Sequence, residues 1–101
     1  MRLLRLVDEP AGWHTERACL GTDIRLWFGP GEGEADEPRA ERDKREGIAK
    51  TYCAECPFTA YCLELELAFP AYHQHGVRGG LTADERRAAL RQRRAAERRA
   101  A

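Results

Sequence analysis

The chain contains no serine and no asparagine, only two lysines and one methionine, and its formal charges cancel. Without serine there is no serine nucleophile. No run of residues approaches the ~20 apolar positions that a membrane-spanning helix requires. Mean hydropathy is −0.67 and 34% of residues are charged, so the apolar core of a 101-residue chain is thin. No internal repeat, no glycine-rich phosphate loop and no paired-carboxylate arrangement stands out, so no small-molecule substrate is expected. The opening Met1-Arg2-Leu3-Leu4-Arg5-Leu6-Val7-Asp8-Glu9 turns to charge too early for a signal peptide, which predicts a cytoplasmic protein with no membrane partner.

The cancelled charge is a sum over unlike segments. Residues 1–30 carry four basic and four acidic groups, residues 31–46 four and seven, residues 47–80 two and three, and residues 81–101 seven and three. A near-neutral centre thus lies between an acidic connector and a basic tail, and a nucleic-acid partner is not excluded. The 15 arginines and 16 alanines beside two lysines look like the codon bias of a GC-rich genome, so arginine usage alone is not evidence of phosphate recognition.

Residues 1–30 read as loops and short turns, with Trp13 and Ile24-Arg25-Leu26-Trp27-Phe28 as their apolar surface. Gly29-Pro30-Gly31-Glu32-Gly33 is a strong breaker, and 31–38 reads as a mobile acidic loop. From Arg39 to about Cys53 a helix is predicted, with Ala40, Ile48, Ala49 and Tyr52 on one stripe; Gly47 weakens it by about 1 kcal/mol. Pro57 suits the first position of a second helix reaching Phe69, with Phe58, Tyr61, Cys62, Leu65 and Phe69 on its apolar face. Cys56 would then be its N-cap, where the macrodipole favours a thiolate or an anionic centre. Pro70 ends that helix and a turn with three glycines follows. Thr82-Ala83-Asp84-Glu85 is a capping box that opens a last helix running towards Arg99. No credible strand is found. The expected fold is all-α: a small single domain of short helices.

The cysteines are Cys19, Cys53, Cys56 and Cys62, a C-x33-C-x2-C-x5-C spacing. Four cysteines in a cytosolic chain point to metal or redox chemistry rather than a disulfide frame. Zinc ribbons usually pair two Cys-x-x-Cys knuckles, and here there is one; a close pair, a third cysteine nearby and a remote fourth are more typical of iron–sulfur clusters. Zinc and a redox-active Cys53/Cys56 pair stay open on spacing alone. A centre joining all four sulfurs would tie the aromatic N-terminal zone to the helical pair and supply much of the folding energy.

Trp13 ahead of Cys19, Asp23-Ile24-Arg25-Leu26-Trp27-Phe28-Gly29-Pro30, Cys53-Ala54-Glu55-Cys56-Pro57, Cys62, Gly76-Val77-Arg78-Gly79-Gly80 and Leu81-Thr82-Ala83-Asp84-Glu85-Arg86-Arg87 together resemble the WhiB-like (Wbl) transcriptional regulators of actinobacterial type. The resemblance covers about residues 11–95. It implies a [4Fe–4S] cluster, one per chain, on Cys19, Cys53, Cys56 and Cys62, reactive toward oxygen and nitric oxide, with disulfides in apo forms. It implies binding to region 4 of an RNA polymerase sigma factor through Trp13, Trp27, Phe28 and the turn Gly76, Val77, Arg78, Gly79 and Gly80. It also implies DNA contacts, mainly to phosphates, from Arg86, Arg87, Arg91, Arg93, Arg94, Arg98 and Arg99. The organisation that follows is an N-terminal flank at 1–10, a cluster-binding domain at 11–81 and a basic C-terminal helix at 82–101.

Two departures matter. Family members usually carry Trp where this chain has Arg78, so the turn loses a buried aromatic anchor and sigma binding is expected to be weaker or redirected. The gap between Cys19 and Cys53 is a few residues longer than in many members, and the surplus falls in the acidic loop, where insertion is cheap. Three bland readings stand beside these. The basic tail has that of a solvated helix end, the aromatics that of ordinary core, and His73 and His75 that of exposed loop residues. The chain is not expected to be an enzyme. The rival readings are a thiol–disulfide reductase using Cys53 and Cys56, which lacks the βαβ context of a thioredoxin-like site, and a structural zinc module for protein contacts.

Overall fold

The computed structural model describes residues 9–101, so most of the 1–10 flank lies outside the described residues. Four helices carry the fold: α1 (Ile24–Phe28), α2 (Arg39–Glu55), α3 (Thr59–Leu67) and α4 (Ala83–Ala100), with a 3-10 turn at Ala71–His73 before the glycine turn. Among the described residues there is no strand, only an isolated bridge between Arg78 and Leu81. None of the helices there is long and apolar enough to cross a membrane.

α1 departs from the loops expected there, because five residues are too few to show a period. Asp23 caps it by accepting from the Arg25 N–H at 2.9 Å, and Gly29, at φ +75°, ends it. The acidic segment after it has no regular structure but is pinned at both ends. Glu34 pairs with Arg25, and the Arg45 guanidinium grips Glu37 at 2.9 and 3.0 Å while donating to the Leu26 carbonyl at 3.0 Å. Arg45 thereby clasps α1 against α2 and holds the Glu37 carboxyl below its ordinary pKa.

α2 starts at Arg39, as the periodicity predicts, but its buried stripe differs. Ala49 and Cys53 face inward, whereas Ala40 is exposed and Ile48 and Tyr52 are 44% and 38% exposed. Both pairs have helical i, i+4 spacing. The small Ala49 side chain wins because it lets Trp27 and Val77 pack close against the helix. Trp27, Ala49, Cys53 and Val77 form the core, with Cys19 and Leu26 against it.

The α2–α3 junction corrects the expected helix start. Cys56 is extended (φ −82°, ψ 127°) and ends α2, its N–H donating to the Cys53 carbonyl at 3.1 Å. A residue before proline is pushed to that conformation. Pro57 lies in the turn, Phe58 is the N-cap of α3, and Cys56 therefore has no macrodipole at its sulfur from that helix. Thr59 ties the junction, its hydroxyl donating to the Cys53 and Cys56 carbonyls. α3 also stops short of Phe69, which is 52% exposed. Its end is capped by a fully buried Gln74, whose amide donates to the Glu66 and Phe69 carbonyls at 2.7 and 3.1 Å.

α4 opens on the predicted capping box: Thr82 Oγ1 accepts from the Glu85 N–H, and Glu85 accepts from the Thr82 N–H. Its first turns dock on the 3-10 turn and the glycine turn, and its C-terminal half is largely exposed.

Candidate metal centre

Three segments bring the cysteines together. Cys19 arrives on the segment ahead of α1, Cys53 and Cys56 lie at the end of α2, and Cys62 lies in α3. All four thiols are free and all four line one cavity of about 360 Å³. Among the described residues, no three His, Cys, Asp or Glu side chains come close enough to share a single metal ion.

Each wall of the cavity has a local cause. The Cys19 segment is fastened by Trp13, whose ring packs edge-on against Phe58 and Tyr61 with centroids at 6.0 and 4.9 Å. Thr22 links the same segment to α1: its hydroxyl donates to the Cys19 carbonyl and accepts from the Trp27 indole N–H at 2.8 Å. The glycine turn forms the third wall. The Val77 N–H donates to the Trp27 carbonyl at 3.0 Å. Gly76 (φ +64°) leaves no room for a Cβ, which would lie 2.6 Å from the Phe28 ring; at Gly79 (φ +64°) a Cβ would lie 2.5 Å from the Leu63 Cα. The turn is thus wedged between α1 and α3, with only glycine fitting at either contact.

Burial pushes the Cys53 thiol pKa up, opposed by a hydrogen bond from the Gly80 backbone, while Cys62, Cys56 and Cys19 add to the rise. Arg78 lines the cavity together with Cys62, and its guanidinium lies 3.4 Å from the Glu66 carboxylate. Arg17, which sequence reasoning missed, also lines the cavity; its guanidinium lies over the Trp13 ring at 4.5 Å. Its position two residues before Cys19 was the only signal available.

The other residues named from the resemblance divide. Trp13, Trp27, Val77 and Gly79 are buried, so in this structure they hold the surface in place and do not themselves present a docking face. Phe28 is 47% exposed, and beside it lie apolar groups not foreseen from sequence: Ile24, one turn away on the same face of α1, is 68% exposed, and Ile48 and Tyr52 are exposed on α2. His73 and His75 are exposed and do not line the cavity.

In the tail, Arg86 must be removed from the DNA-contacting set. It is fully buried and places all five guanidinium hydrogens on its own chain: on Gln74 Oε1 at 2.6 Å and on the carbonyls of Arg78, Leu81, His75 and Gly76 at 2.7–3.2 Å. Arg87 is also engaged, with the carbonyls of Ala71 and Gln74 and the Asp84 carboxylate. Arg93 pairs with Glu64 at 2.9 Å. Arg91, Arg94, Arg98 and Arg99 are exposed. At 100° per residue, Arg87, Arg91, Arg94 and Arg98 fall within about 60° of one another on α4, a single cationic stripe.

The chain is thus a small helical module that folds three distant segments around four free cysteines, with a cationic helix leading away. The family described as transcription factor WhiB matches residues 13–89, and the chain belongs to that family. The transcriptional regulator WhiD of Streptomyces coelicolor is 45% identical over 74 residues, which is 73% of this chain and 61% of WhiD, so the chain spans less than two thirds of that relative.

Proposed function

We propose that this chain is a transcription regulator whose Cys19, Cys53, Cys56 and Cys62 hold one [4Fe–4S] cluster. The observation that carries this reading is that four free cysteines, delivered by three separate segments, line one cavity of about 360 Å³. Two guanidinium groups in the cavity wall suit a centre whose thiolates leave it net negative. When bound, the cluster supplies one-electron chemistry and reactivity toward oxygen and nitric oxide. The chain's own residues do the rest: Trp13 and Thr22 fix Cys19, Thr59 fixes the Cys53–Cys56 knuckle, Gly80 donates to Cys53, and Trp27 and Val77 keep water from one side.

In this reading the exposed apolar rim of Ile24, Phe28 and Tyr52 docks on region 4 of a sigma factor in the cytoplasm, while the stripe Arg87, Arg91, Arg94 and Arg98 meets promoter phosphates. The chain is not an enzyme. Anaerobic purification tests the centre, with about four irons and four sulfides per chain expected; a colourless anaerobic protein holding one zinc overturns it. Anaerobic co-expression with sigma region 4 tests the partner. Co-purification is expected, and Arg78→Trp should strengthen it by adding apolar area to the rim. Failure of both versions to bind overturns the sigma assignment.

A further inference from the structure

The cavity wall carries two cations that do not serve as ligands. Arg17 lies over Trp13, and its Nε is buried without a hydrogen-bond partner in the protein. Arg78 is held at the tip of the glycine turn by paired backbone bonds with Leu81, at 3.0 and 3.2 Å; its guanidinium lies 3.4 Å from Glu66, and it lines the same cavity wall as Cys62. Its guanidinium stays in the wall of the cavity that the four cysteines line. Arginine in any case stays protonated. The side chains of Arg78 and Glu66 are 37% and 18% exposed, so solvent only partly screens the pair.

We propose that Arg78, assisted by Arg17, is the positioning residue that sets the reduction potential of the centre on Cys19, Cys53, Cys56 and Cys62, its fixed positive charge beside Cys62 favouring the reduced form. This rests on the cluster reading above. A [4Fe–4S]²⁺ core on four thiolates carries about −2, and adding one electron makes it about −3, with no bond broken and no proton required. A nearby cation stabilises the more negative state more, and net charge and hydrogen bonds to sulfur are established levers on such potentials. Glu66 opposes the effect by partly neutralising Arg78.

The test is a mediated potentiometric titration of the anaerobically purified full chain, with dithionite as electron donor and bleaching of the visible absorbance as readout. Iron and sulfide are quantified first in every sample. Arg78→Gln is expected to shift the one-electron equilibrium about tenfold toward the oxidised form, a drop of about 59 mV in midpoint. Arg78→Lys should retain a midpoint near that of the unaltered chain, and Glu66→Gln should raise it. An unchanged midpoint in Arg78→Gln at full cluster content overturns the inference and leaves the cluster reading intact. Equal drops in Arg78→Gln and Arg78→Lys also overturn it, because shape and not charge would then be at work. Should Arg78→Gln not retain the cluster, the opposite signs expected for Glu66→Gln (up) and Arg17→Gln (down) decide; shifts of the same sign reject the inference. An unaltered chain without iron and sulfide rejects the cluster reading itself.

Discussion

Arg86 Nε donates to Gln74 Oε1 across 2.6 Å, and both side chains are fully buried. The pair joins three pieces of structure, because Gln74 also caps α3 and Arg86 also bonds the glycine turn. Among the described residues no carboxylate pairs with Arg86, so backbone carbonyls and one amide face its charge. Burial lowers its pKa, but arginine remains ionised.

Arg86→Met leaves Gln74 Oε1 and the His75 and Gly76 carbonyls without their donor, while the Arg78 and Leu81 carbonyls keep the backbone bonds they exchange. At about 1–3 kcal/mol for each buried group left unpaired, even partial relaxation gives a loss of about 3 kcal/mol or more. Urea titration should show it. A variant with unchanged midpoint would mean that the turn holds itself.

Replacing Arg91 and Arg94 by Ala should weaken binding to any DNA sequence and reduce the salt slope of the affinity by about one for each phosphate no longer neutralised. Circular dichroism should be unchanged, because both residues are exposed on the free half of α4. Unchanged affinity in low salt would remove the stripe from the interface.

Two glycine-to-alanine changes should have opposite signs. Gly47 lies inside α2 with nothing within 4 Å of a new Cβ, so Gly47→Ala should stabilise by about 0.5–1 kcal/mol. Gly79→Ala meets the Leu63 backbone at a positive φ and should destabilise by more than about 1 kcal/mol. Thermal melts separate the two.

Glu85 gives a pH signature. Lys50, at 2.8 Å, and the Thr82 N–H depress its carboxyl pKa in the folded state. A folded value below the unfolded one contributes stability above about pH 4.3, the unfolded value, which is lost as pH falls through the lowered folded value. Glu85→Gln should therefore be less stable than the unaltered chain at pH 7, with the gap closing towards pH 3. A gap independent of pH would show that the hydrogen bond and not the charge matters.

Local chemistry was legible in the sequence. Thr82 and Glu85 announced the start of α4, the periodicity from Arg39 announced α2, and the four cysteines that the spacing grouped line one cavity. Relations between segments were less so. Cys56 read as a cap because Pro57 suits a helix start, but the extended geometry before proline makes it an end. Ile48 and Tyr52 share the spacing of Ala49 and Cys53, and only the approach of Trp27 and Val77 decides which pair is buried. Arg86 is one arginine among seven in the tail; nothing local distinguishes it, because its burial arises from Gln74 and the turn.

The attachment of α4 has a mechanical consequence. Its base is bonded through Arg86 to the same turn that reaches Cys53 through Gly80. Its 18 residues make a rod of about 27 Å at the usual rise. A tilt of about 10° at the base carries the far end about 5 Å over that length, close to one helical turn. The angle at which the arginines of α4 are presented is therefore fixed by the turn that also lines the cavity.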